Sequence, residues 1–220
     1  MPEQQILEQP LDARLTLRNE PVQARSTARL TGLMDAAAAI VDEIGFERLT
    51  TAMVAERAGA SIGTVYRYFP DRIALLQALG ARNLDRVLTR VGDEILDERH
   101  PDWVTALSAA FEILIDSFRN EPGFRGLRVG DALDLRPASN ERPFNSVVAD
   151  YMLDRMIGRF GVSDSPELRF RFETAIVVSD ALATRAFARD PEGDDTFLAA
   201  SKDLVYTLLV DHFGAVSPQA

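Results

Sequence analysis

Cysteine is absent from this sequence of 220 residues, and histidine occurs only at His100 and His212. Without cysteine the chain has no disulfide framework, no thiol nucleophile and no thiolate metal site, which fits a reducing compartment. Long apolar runs are absent too: no stretch approaches the roughly 18 residues of a membrane span, and residues 1–24 lack the apolar centre of a signal peptide. We therefore expect a cytoplasmic protein that needs no cofactor and no metal ion.

Sequence motifs of enzymes are missing as well. The sequence has no G-x-S-x-G, no P-loop and no dinucleotide fingerprint, and the acidic turn at 190–195 lacks the ligand spacing of a calcium loop. The sequence therefore predicts a protein that is not an enzyme. A hydrolase that uses carboxylates alone and an all-α adaptor between proteins are the alternative classes. A gel-shift assay with genomic DNA fragments separates both alternatives from a DNA-binding regulator.

Acidic residues are in excess, but they are unevenly distributed. The formal net charge of -10 argues by itself against a partner as acidic as DNA. Residues 21–72 nevertheless hold six arginines and six acidic residues, whereas residues 73–220 hold 16 basic and 24 acidic side chains. The acidic excess therefore lies mostly outside the N-terminal third. Lys202 is the only lysine, so phosphate contacts would come almost entirely from arginine.

Apolar residues recur at helical spacing along most of the chain, and no segment alternates with the period of two that indicates a strand. Leu33 and Ala37 belong to the first apolar face, which Gly45 can end. The sequence predicts an all-α protein of about nine helices. Its expected parts are a flexible N-terminal arm at residues 1–24, a compact three-helix domain at 25–72 and a larger helical domain at 73–220.

The segment from Thr51 to Phe69 has the pattern of a helix-turn-helix. This motif needs two short helices joined by a tight turn with glycine, and its second helix enters the major groove of DNA. Gly59 supplies the turn, and Val65 and Phe69 are spaced to face inward. The positions left to face outward or to flank the second helix are Ile62, Gly63, Thr64, Tyr66, Arg67 and Tyr68. Hydroxyl and guanidinium groups of this kind hydrogen-bond phosphate oxygens and guanine.

This segment resembles the N-terminal signature of the tetracycline-repressor family. The resemblance runs without a gap from about Arg29 to Leu79. It rests on Gly45-Phe46, Leu49-Thr50-Thr51, Ala55-Glu56-Arg57-Ala58-Gly59, Ser61, Gly63-Thr64-Val65-Tyr66-Arg67-Tyr68-Phe69-Pro70 and Ala74-Leu75-Leu76. It implies a DNA-binding domain at 25–72, followed by an effector-binding and dimerisation domain. The DNA contacts that it implies are Thr51, Ser61, Thr64, Tyr66, Arg67, Tyr68 and Arg72.

Three points in this segment leave alternatives open. Ile62 stands where the family often has a long polar or basic residue, so hydrogen-bond readout of a base is lost there, although an apolar side chain suits a thymine methyl group. Tyr66 and Tyr68 could instead be packing residues with only a hydroxyl in water. Arg14, Arg18, Arg25 and Arg29 could form an arm that touches phosphates or the minor groove, but the acidic residues in the leader favour disorder.

A homodimer on palindromic double-stranded DNA is the assembly that the resemblance implies. In this family the last two helices of each subunit form a four-helix bundle with the partner. Small residues beside large apolar ones would allow close approach of those helices here. The predicted interface residues are Phe172, Ala175, Ser179, Leu182, Ala183, Ala186, Leu204 and Leu208. The alternative is that these helices complete the core of a monomer.

A small-molecule effector is the other partner that the resemblance implies. Its pocket would lie among the central helices, with apolar walls and a few polar groups. The candidate lining residues are Trp103, Phe111, Ile115, Phe118, Phe144, Met152, Met156 and Phe187, with Arg128 as an anchor for an anionic group. Each of them alone could equally be a core residue, but together they indicate an apolar or aromatic effector. The expected function is repression of transcription, relieved when the effector binds.

Overall fold

The structure, a computed structural model, describes residues 24–129 and 144–216 of the chain. Every regular element in these ranges is a helix, which confirms the all-α prediction, and the expected arm at 1–24 lies outside them except for its last residue. The elements are α1 (Ala24–Ile44), a 3₁₀ turn (Phe46–Arg48), α2 (Thr51–Arg57), α3 (Ile62–Tyr68), α4 (Arg72–Leu96), α5 (Trp103–Asn120), α6 (Phe124–Val129), α7 (Phe144–Phe160), α8 (Pro166–Phe187) and α9 (Asp195–Phe213). Among the described residues, no helix is long and apolar enough to cross a lipid bilayer.

The described residues form two compact units. The first unit comprises residues 24–86 and 120–129, and the second comprises residues 87–119 and 144–216. The boundary between them falls inside α4, so one continuous helix contributes to both units. The first unit is larger than the three-helix domain expected at 25–72, because the first half of α4 and the short helix α6 complete its core.

The core of the first unit is built on the apolar face of α1. Leu33, Ala37 and Ile40 follow the spacing of three and four residues that places side chains on one helix face, and all three are buried. Each of the other helices contributes to the same cluster through Val54, Val65, Phe69, Leu75, Leu79 and Leu127. Burial of apolar surface stabilises such a core by roughly 25 cal/mol per Å². This packing fixes the orientation of α2 and α3.

Two glycines allow α6 to pack closely on α1. A side chain at Gly126 would bring its Cβ atom within 2.7 Å of a methyl group of Val41, closer than real side chains approach. Gly123 has a left-handed backbone with φ 75°, and its amide donates a 2.9 Å hydrogen bond to an Asp42 carboxylate oxygen. The contact between α6 and α1 therefore depends on glycine at both positions.

Aromatic contacts tie the helices of the second unit together. The rings of Phe118 on α5 and Phe187 at the end of α8 lie parallel, with their centroids 4.6 Å apart. The Trp103 indole donates a 2.9 Å hydrogen bond to the carbonyl oxygen of Gly214. This bond links the start of α5 to the residue that follows α9. The end of α8 and the end of α9 are therefore both held to α5.

Candidate nucleic-acid interface

Three local features set the geometry of the hairpin formed by α2 and α3. The Thr50 hydroxyl caps α2 by accepting a 3.2 Å hydrogen bond from the Met53 amide, and the Ser61 hydroxyl caps α3 by accepting a 3.1 Å bond from the Thr64 amide. Gly59, between the helices, has a left-handed backbone with φ 58°, which glycine adopts without steric cost. The two short helices and their glycine turn are therefore formed as the sequence predicted.

One side of α3 is buried and the other is exposed. Val65 and Phe69 lie in the core, which confirms the prediction that they face inward. Ile62, at the start of the helix, is 43% exposed, and Tyr66 is 42% exposed. Gly63 and Arg67 are also exposed. We call these four residues, Ile62, Gly63, Tyr66 and Arg67, the outer face of α3.

Two hydroxyl pairs accompany the outer face of α3. The Thr51 hydroxyl at the start of α2 donates to the Tyr66 hydroxyl oxygen over 3.3 Å. Because the Tyr66 oxygen accepts this bond, its own proton is free to be donated to a further acceptor. The hydroxyls of Ser61 and Thr64 form the second pair, 2.9 Å apart. Hydroxyl groups held in this way are typical donors to phosphate oxygens of DNA.

The placement of Tyr68 contradicts the expectation that it faces outward. Its side chain is only 2% exposed and lies in the core cluster of the first unit. Its hydroxyl oxygen lies 2.8 Å from the Ser26 hydroxyl, and Arg67 donates a 3.4 Å hydrogen bond to the same oxygen. The spacing of three residues from buried Val65 is the sequence signal that could have indicated this placement. Tyr68 therefore joins α3 to the first turn of α1 and contacts Arg67.

Arg72 also has a structural role that sequence reasoning missed. Its guanidinium donates hydrogen bonds of 3.2 Å and 2.8 Å to the carbonyl oxygens of Phe46 and Glu47. These carbonyl groups belong to the 3₁₀ turn after α1, so Arg72 fastens that turn to the start of α4. The residues that Arg72 contacts are more than 20 positions away in the chain, and no local pattern indicates the contact.

The arginines of the hairpin differ in their surroundings. Both outer nitrogens of Arg57 donate 2.6 Å hydrogen bonds to the Glu43 carboxylate, and these bonds lower the pKa of Glu43 and raise that of Arg57. Arg67 instead lies with its guanidinium carbon 5.1 Å from the centre of the Tyr68 ring, and no carboxylate of the described residues pairs with it. From Arg57 to Pro70 the sequence contains no acidic residue. The charge of Arg67 is therefore available to an anionic partner.

The predicted effector residues fall in both units of the chain. Trp103, Ile115, Phe118, Met152, Met156 and Phe187 are buried in the second unit, and Phe111 is partly exposed with the Lys202 ammonium 5.7 Å from its ring centre. Arg128 belongs to the first unit, where burial lowers the pKa of its guanidinium. The side chain of Phe144 lies outside the described part of the chain. The prediction of an effector pocket from these residues remains a prediction.

The eight predicted dimer-interface residues differ in their exposure within the single chain. Five of the eight residues are buried within a single chain and present no surface to a partner: Phe172, Ala175, Ser179, Ala183 and Ala186. The reason is that this face of α8 packs inside the second unit, where small side chains allow neighbouring helices to approach. The Ser201 hydroxyl of α9, for example, donates a 3.2 Å hydrogen bond to the buried Ser179 hydroxyl. Leu204 is exposed, and Leu182 and Leu208 are partly exposed.

Some apolar side chains of α8 and α9 are at least partly exposed, and Leu204 and Leu208 of the predicted interface are among them. Phe170 is 70% exposed, and Val177 lies seven residues later on the same side of α8. Leu204 is the exposed apolar residue of α9 nearest the middle of that helix. We call Phe170, Val177 and Leu204, with the partly exposed Leu208, the outer face of α8 and α9. Exposed apolar side chains mark an interaction site when they form a contiguous patch.

A capped helix-turn-helix with a buried inner side and an exposed face of tyrosine and arginine defines a DNA-binding protein. Two family models extend this assignment to most of the chain. The model described as "Bacterial regulatory proteins, tetR family" matches residues 33–79, and the model described as "Tetracyclin repressor-like, C-terminal domain" matches residues 101–213. The chain belongs to the tetracycline-repressor family of DNA-binding transcriptional regulators, which confirms the resemblance seen in the sequence.

Individual relatives agree with this family. The chain is 40% identical over 58 residues to the HTH-type transcriptional repressor KstR from Rhodococcus jostii, a match to 26% of this chain and 27% of that protein. It is 30% identical over 91 residues to the nucleoid occlusion factor SlmA from Pasteurella multocida, a match to 41% of this chain and 45% of that protein. The chain thus spans less than half the length of either relative. A solved TetR-family regulator from Streptomyces coelicolor has a TM-score of 0.69 and 29% identity, covering 84% of this chain and 97% of its own.

Proposed function

We propose that this protein is a homodimeric repressor that binds a palindromic operator through α3 and is released by a small apolar or aromatic effector. The observation that carries the proposal is the outer face of α3, where Tyr66 and Arg67 are exposed while Val65 and Phe69 anchor the helix in the core. In a symmetric dimer, two such helices fit successive major grooves about 34–36 Å apart. DNA binding is then the task of residues 25–72, and effector binding and dimerisation that of residues 73–220.

The hairpin residues have two kinds of role in this proposal. Arg67 and the hydroxyl groups contact phosphates or base edges, which involves Thr51, Ser61, Thr64, Tyr66 and Arg67. Tyr68 and Arg72 are positioning residues, since Tyr68 contacts Arg67 from the core and Arg72 fastens the start of α4. The exposed hydroxyl and guanidinium groups supply the donors, and DNA supplies phosphate oxygens as acceptors.

The first prediction concerns the outer face of α3. Tyr66→Ala and Arg67→Ala should each weaken binding to the operator by about 1–3 kcal/mol, because each removes a contact to phosphate or base. Both side chains are exposed, so the free energy of unfolding should change little. The operator duplex is selected from a randomised pool by the full chain, and affinity is measured by fluorescence anisotropy at one fixed salt concentration.

Arg57→Ala is the matched control for Arg67→Ala. It removes the same charge from the same hairpin, but from a guanidinium that already pairs with Glu43. We expect its operator affinity to stay within about twofold of the wild type, since an exposed pair of this kind contributes little. If Tyr66→Ala and Arg67→Ala both bind as tightly as the wild type, the DNA-contacting face is wrongly assigned.

We assign dimerisation to the outer face of α8 and α9, which keeps Leu204 and Leu208 of the predicted interface and adds Phe170 and Val177. A two-fold interface brings the same surface of both subunits together, so an apolar stripe on one chain meets its copy. Phe170, Val177 and Leu204 would lose their contact with water on association, which stabilises the dimer through burial of apolar area. The serines and alanines of α8 contribute indirectly, because they let the helices of each subunit pack closely.

Release by an effector is assigned to α4. This helix is continuous from Arg72 to Leu96 and contains the boundary of the two units at Arg86. A shift of α4 driven from the second unit would therefore move the first turn of α4. Arg72 in that turn is hydrogen-bonded to the 3₁₀ turn of the first unit, so the first unit would move with it. An effector that binds the DNA-incompetent arrangement more tightly lowers operator affinity, and couplings of about 1–3 kcal/mol correspond to about 5- to 150-fold.

The second prediction is that this coupling is reciprocal. A ligand found by thermal-shift screening of small apolar and aromatic molecules should bind about 5- to 150-fold more weakly when the protein is saturated with operator. Isothermal titration of the ligand with and without operator measures the factor, and an unrelated duplex of equal length is the control. Equal ligand affinities in the two titrations would show that this ligand does not release the protein from DNA.

A further inference from the structure

Ile62 is an exposed apolar residue at the first position of α3. Its side chain is 43% exposed, although Val65 and Phe69 of the same hairpin are buried. A large apolar side chain in water gives no stability to the protein, and the preceding Ser61 caps α3 without any contribution from Ile62. Ile62 is the first residue of α3, and its exposure makes it part of the outer face of α3, the surface that we propose contacts DNA.

The residues around Ile62 leave room for a close approach. Tyr66 lies four residues later, which makes it a neighbour of Ile62 on the same side of the helix. Gly63 carries no side chain, and a Cβ atom there would meet only the Ser61 hydroxyl oxygen, at 3.8 Å, among the described residues. Packing within the fold therefore does not require glycine at position 63. A glycine beside an exposed isoleucine lets both the helix backbone and the isoleucine side chain come close to a bound partner.

We infer that Ile62 reads the 5-methyl group of a thymine in the major groove, and that it sets the specificity of the operator at that base pair. This inference rests on the proposed function. The first residues of a recognition helix are those that reach base edges in a helix-turn-helix complex. Thymine is the base that presents an apolar group in the major groove, and the other bases present donors and acceptors there.

The chemistry of the outer face favours thymine over any other occupant. Arg67 and the hydroxyl groups beside Ile62 suit phosphate oxygens, and the absence of acidic residues from Arg57 to Pro70 removes charge repulsion with DNA. Ile62 has no hydrogen-bonding group, so a polar base edge opposite it would lose water without gaining a partner. A methyl group is the partner that leaves no polar atom unsatisfied.

The test replaces thymines of the selected operator, one at a time, with deoxyuridine. Deoxyuridine lacks the 5-methyl group and keeps the pairing edge and the O4 acceptor. We expect one thymine in each half-site at which the wild-type protein loses about fourfold in Kd, the fold-change that corresponds to about 0.8 kcal/mol for one buried methyl group. Replacing both symmetric thymines should cost about 15-fold, the product of the two single effects.

Ile62→Ala is combined with the deoxyuridine operators, so that the isoleucine and the thymine methyl group are each removed alone and then together. Ile62→Ala should bind the thymine operator about 15-fold more weakly than the wild type, because both subunits carry the substitution, and bind the thymine and deoxyuridine operators equally well. Ile73→Ala is the matched control, because Ile73 is a 56% exposed isoleucine in the same unit, outside α3, and this variant should keep the sensitivity to the methyl group. Circular dichroism shows that each variant is folded.

The possible outcomes separate the two levels of the proposal. If the randomised pool yields no enriched sequence, the proposed function is wrong, and recognition of a thymine methyl group by Ile62 is wrong as well. If an operator is selected but every deoxyuridine substitution changes Kd by less than about twofold, sequence-specific binding stands and the reading by Ile62 is overturned. The same holds if Ile62→Ala keeps the full sensitivity of the wild type to a deoxyuridine. Loss of that sensitivity in Ile62→Ala alone supports the inference.

Discussion

The double variant Val177→Glu/Leu204→Glu is expected to convert a dimer into monomers and to remove most operator binding. Light scattering at micromolar concentration should give a mass of about twice 24.3 kDa for the wild type and about 24.3 kDa for the variant. The two glutamates introduce charges into a face that would be apolar and dry in the dimer, and burial of unpaired charges opposes association strongly. Because a dimer holds two half-sites at once, we expect operator affinity to fall by about 100-fold or more.

Leu96→Glu is the matched control for this variant. Leu96 is an exposed leucine at the end of α4, in the same unit but on neither α8 nor α9, so the same change should leave the mass at that of a dimer. A wild-type protein that is a monomer at micromolar concentration would remove the proposed interface and the palindromic operator with it. A dimeric double variant would place the interface elsewhere on the chain. The far-ultraviolet circular dichroism of all three proteins should agree, since the substituted side chains are exposed.

Truncation of the stacked phenylalanines should produce the largest loss of stability. Phe118 and Phe187 are both buried, and their rings lie 4.6 Å apart. We expect Phe118→Ala and Phe187→Ala each to lower the free energy of unfolding by about 3–5 kcal/mol, because each leaves a cavity in a packed core. The double variant should lose less than the sum, by about 0.5–1.5 kcal/mol for the stacking contact.

Urea unfolding followed by the fluorescence of Trp103 measures these losses, because Trp103 lies in the same unit as both rings. All proteins must be compared at one protein concentration, since dimerisation contributes to the apparent stability. Leu96→Ala is the control, with an expected change within about 0.5 kcal/mol at an exposed site. A loss below about 1 kcal/mol for Phe118→Ala or Phe187→Ala would show that the ring lines an open pocket instead of filling a core.

These measurements also bear on the effector. The sequence placed Phe118 and Phe187 among residues that could line a pocket, and the structure shows that the two rings cover each other. Gly193 lies against the Phe187 ring, where an added Cβ atom would come within 2.8 Å of it. Phe187 is thus enclosed on two sides by its own chain. An effector would need to displace one of these neighbours to reach the ring, which favours a core role for the pair.

The hairpin of α2 and α3 shows which features a local sequence pattern can predict. The glycine turn at position 59 and the inward spacing of Val65 and Phe69 are local signals, and both are found as the sequence predicts. The hydroxyl caps at positions 50 and 61 are local features as well. Tyr68 is different, since its neighbour on α3 is exposed Arg67 and its hydroxyl partner, Ser26, is 42 positions away. A tyrosine fits a wet or a buried position equally well. Only the position of α1 beside α3 decides between them.

The C-terminal helices show the same limit more strongly. Apolar residues occur on several sides of α8. The sequence therefore indicates a largely buried helix, but it does not indicate which side packs against other helices of the same chain. The stripe of alanine and serine indicates close helix packing, and that indication is correct. A helix of the same chain and a helix of a partner subunit require the same small residues. The spacing therefore cannot distinguish a core contact from an interface.

The sequence by itself determined the helical class, the helix-turn-helix hairpin and the family, because each of these depends on short-range spacing and turns. Tertiary structure alone decided which side chains remain available for a partner. Tyr68 and Arg72 are held by the backbone and hydroxyl groups of distant residues, and Phe172 and its neighbours on α8 are covered by other helices of the second unit. The exposure of a side chain depends on every segment that packs around it. Because many of these segments are far apart in the chain, local sequence patterns do not determine exposure.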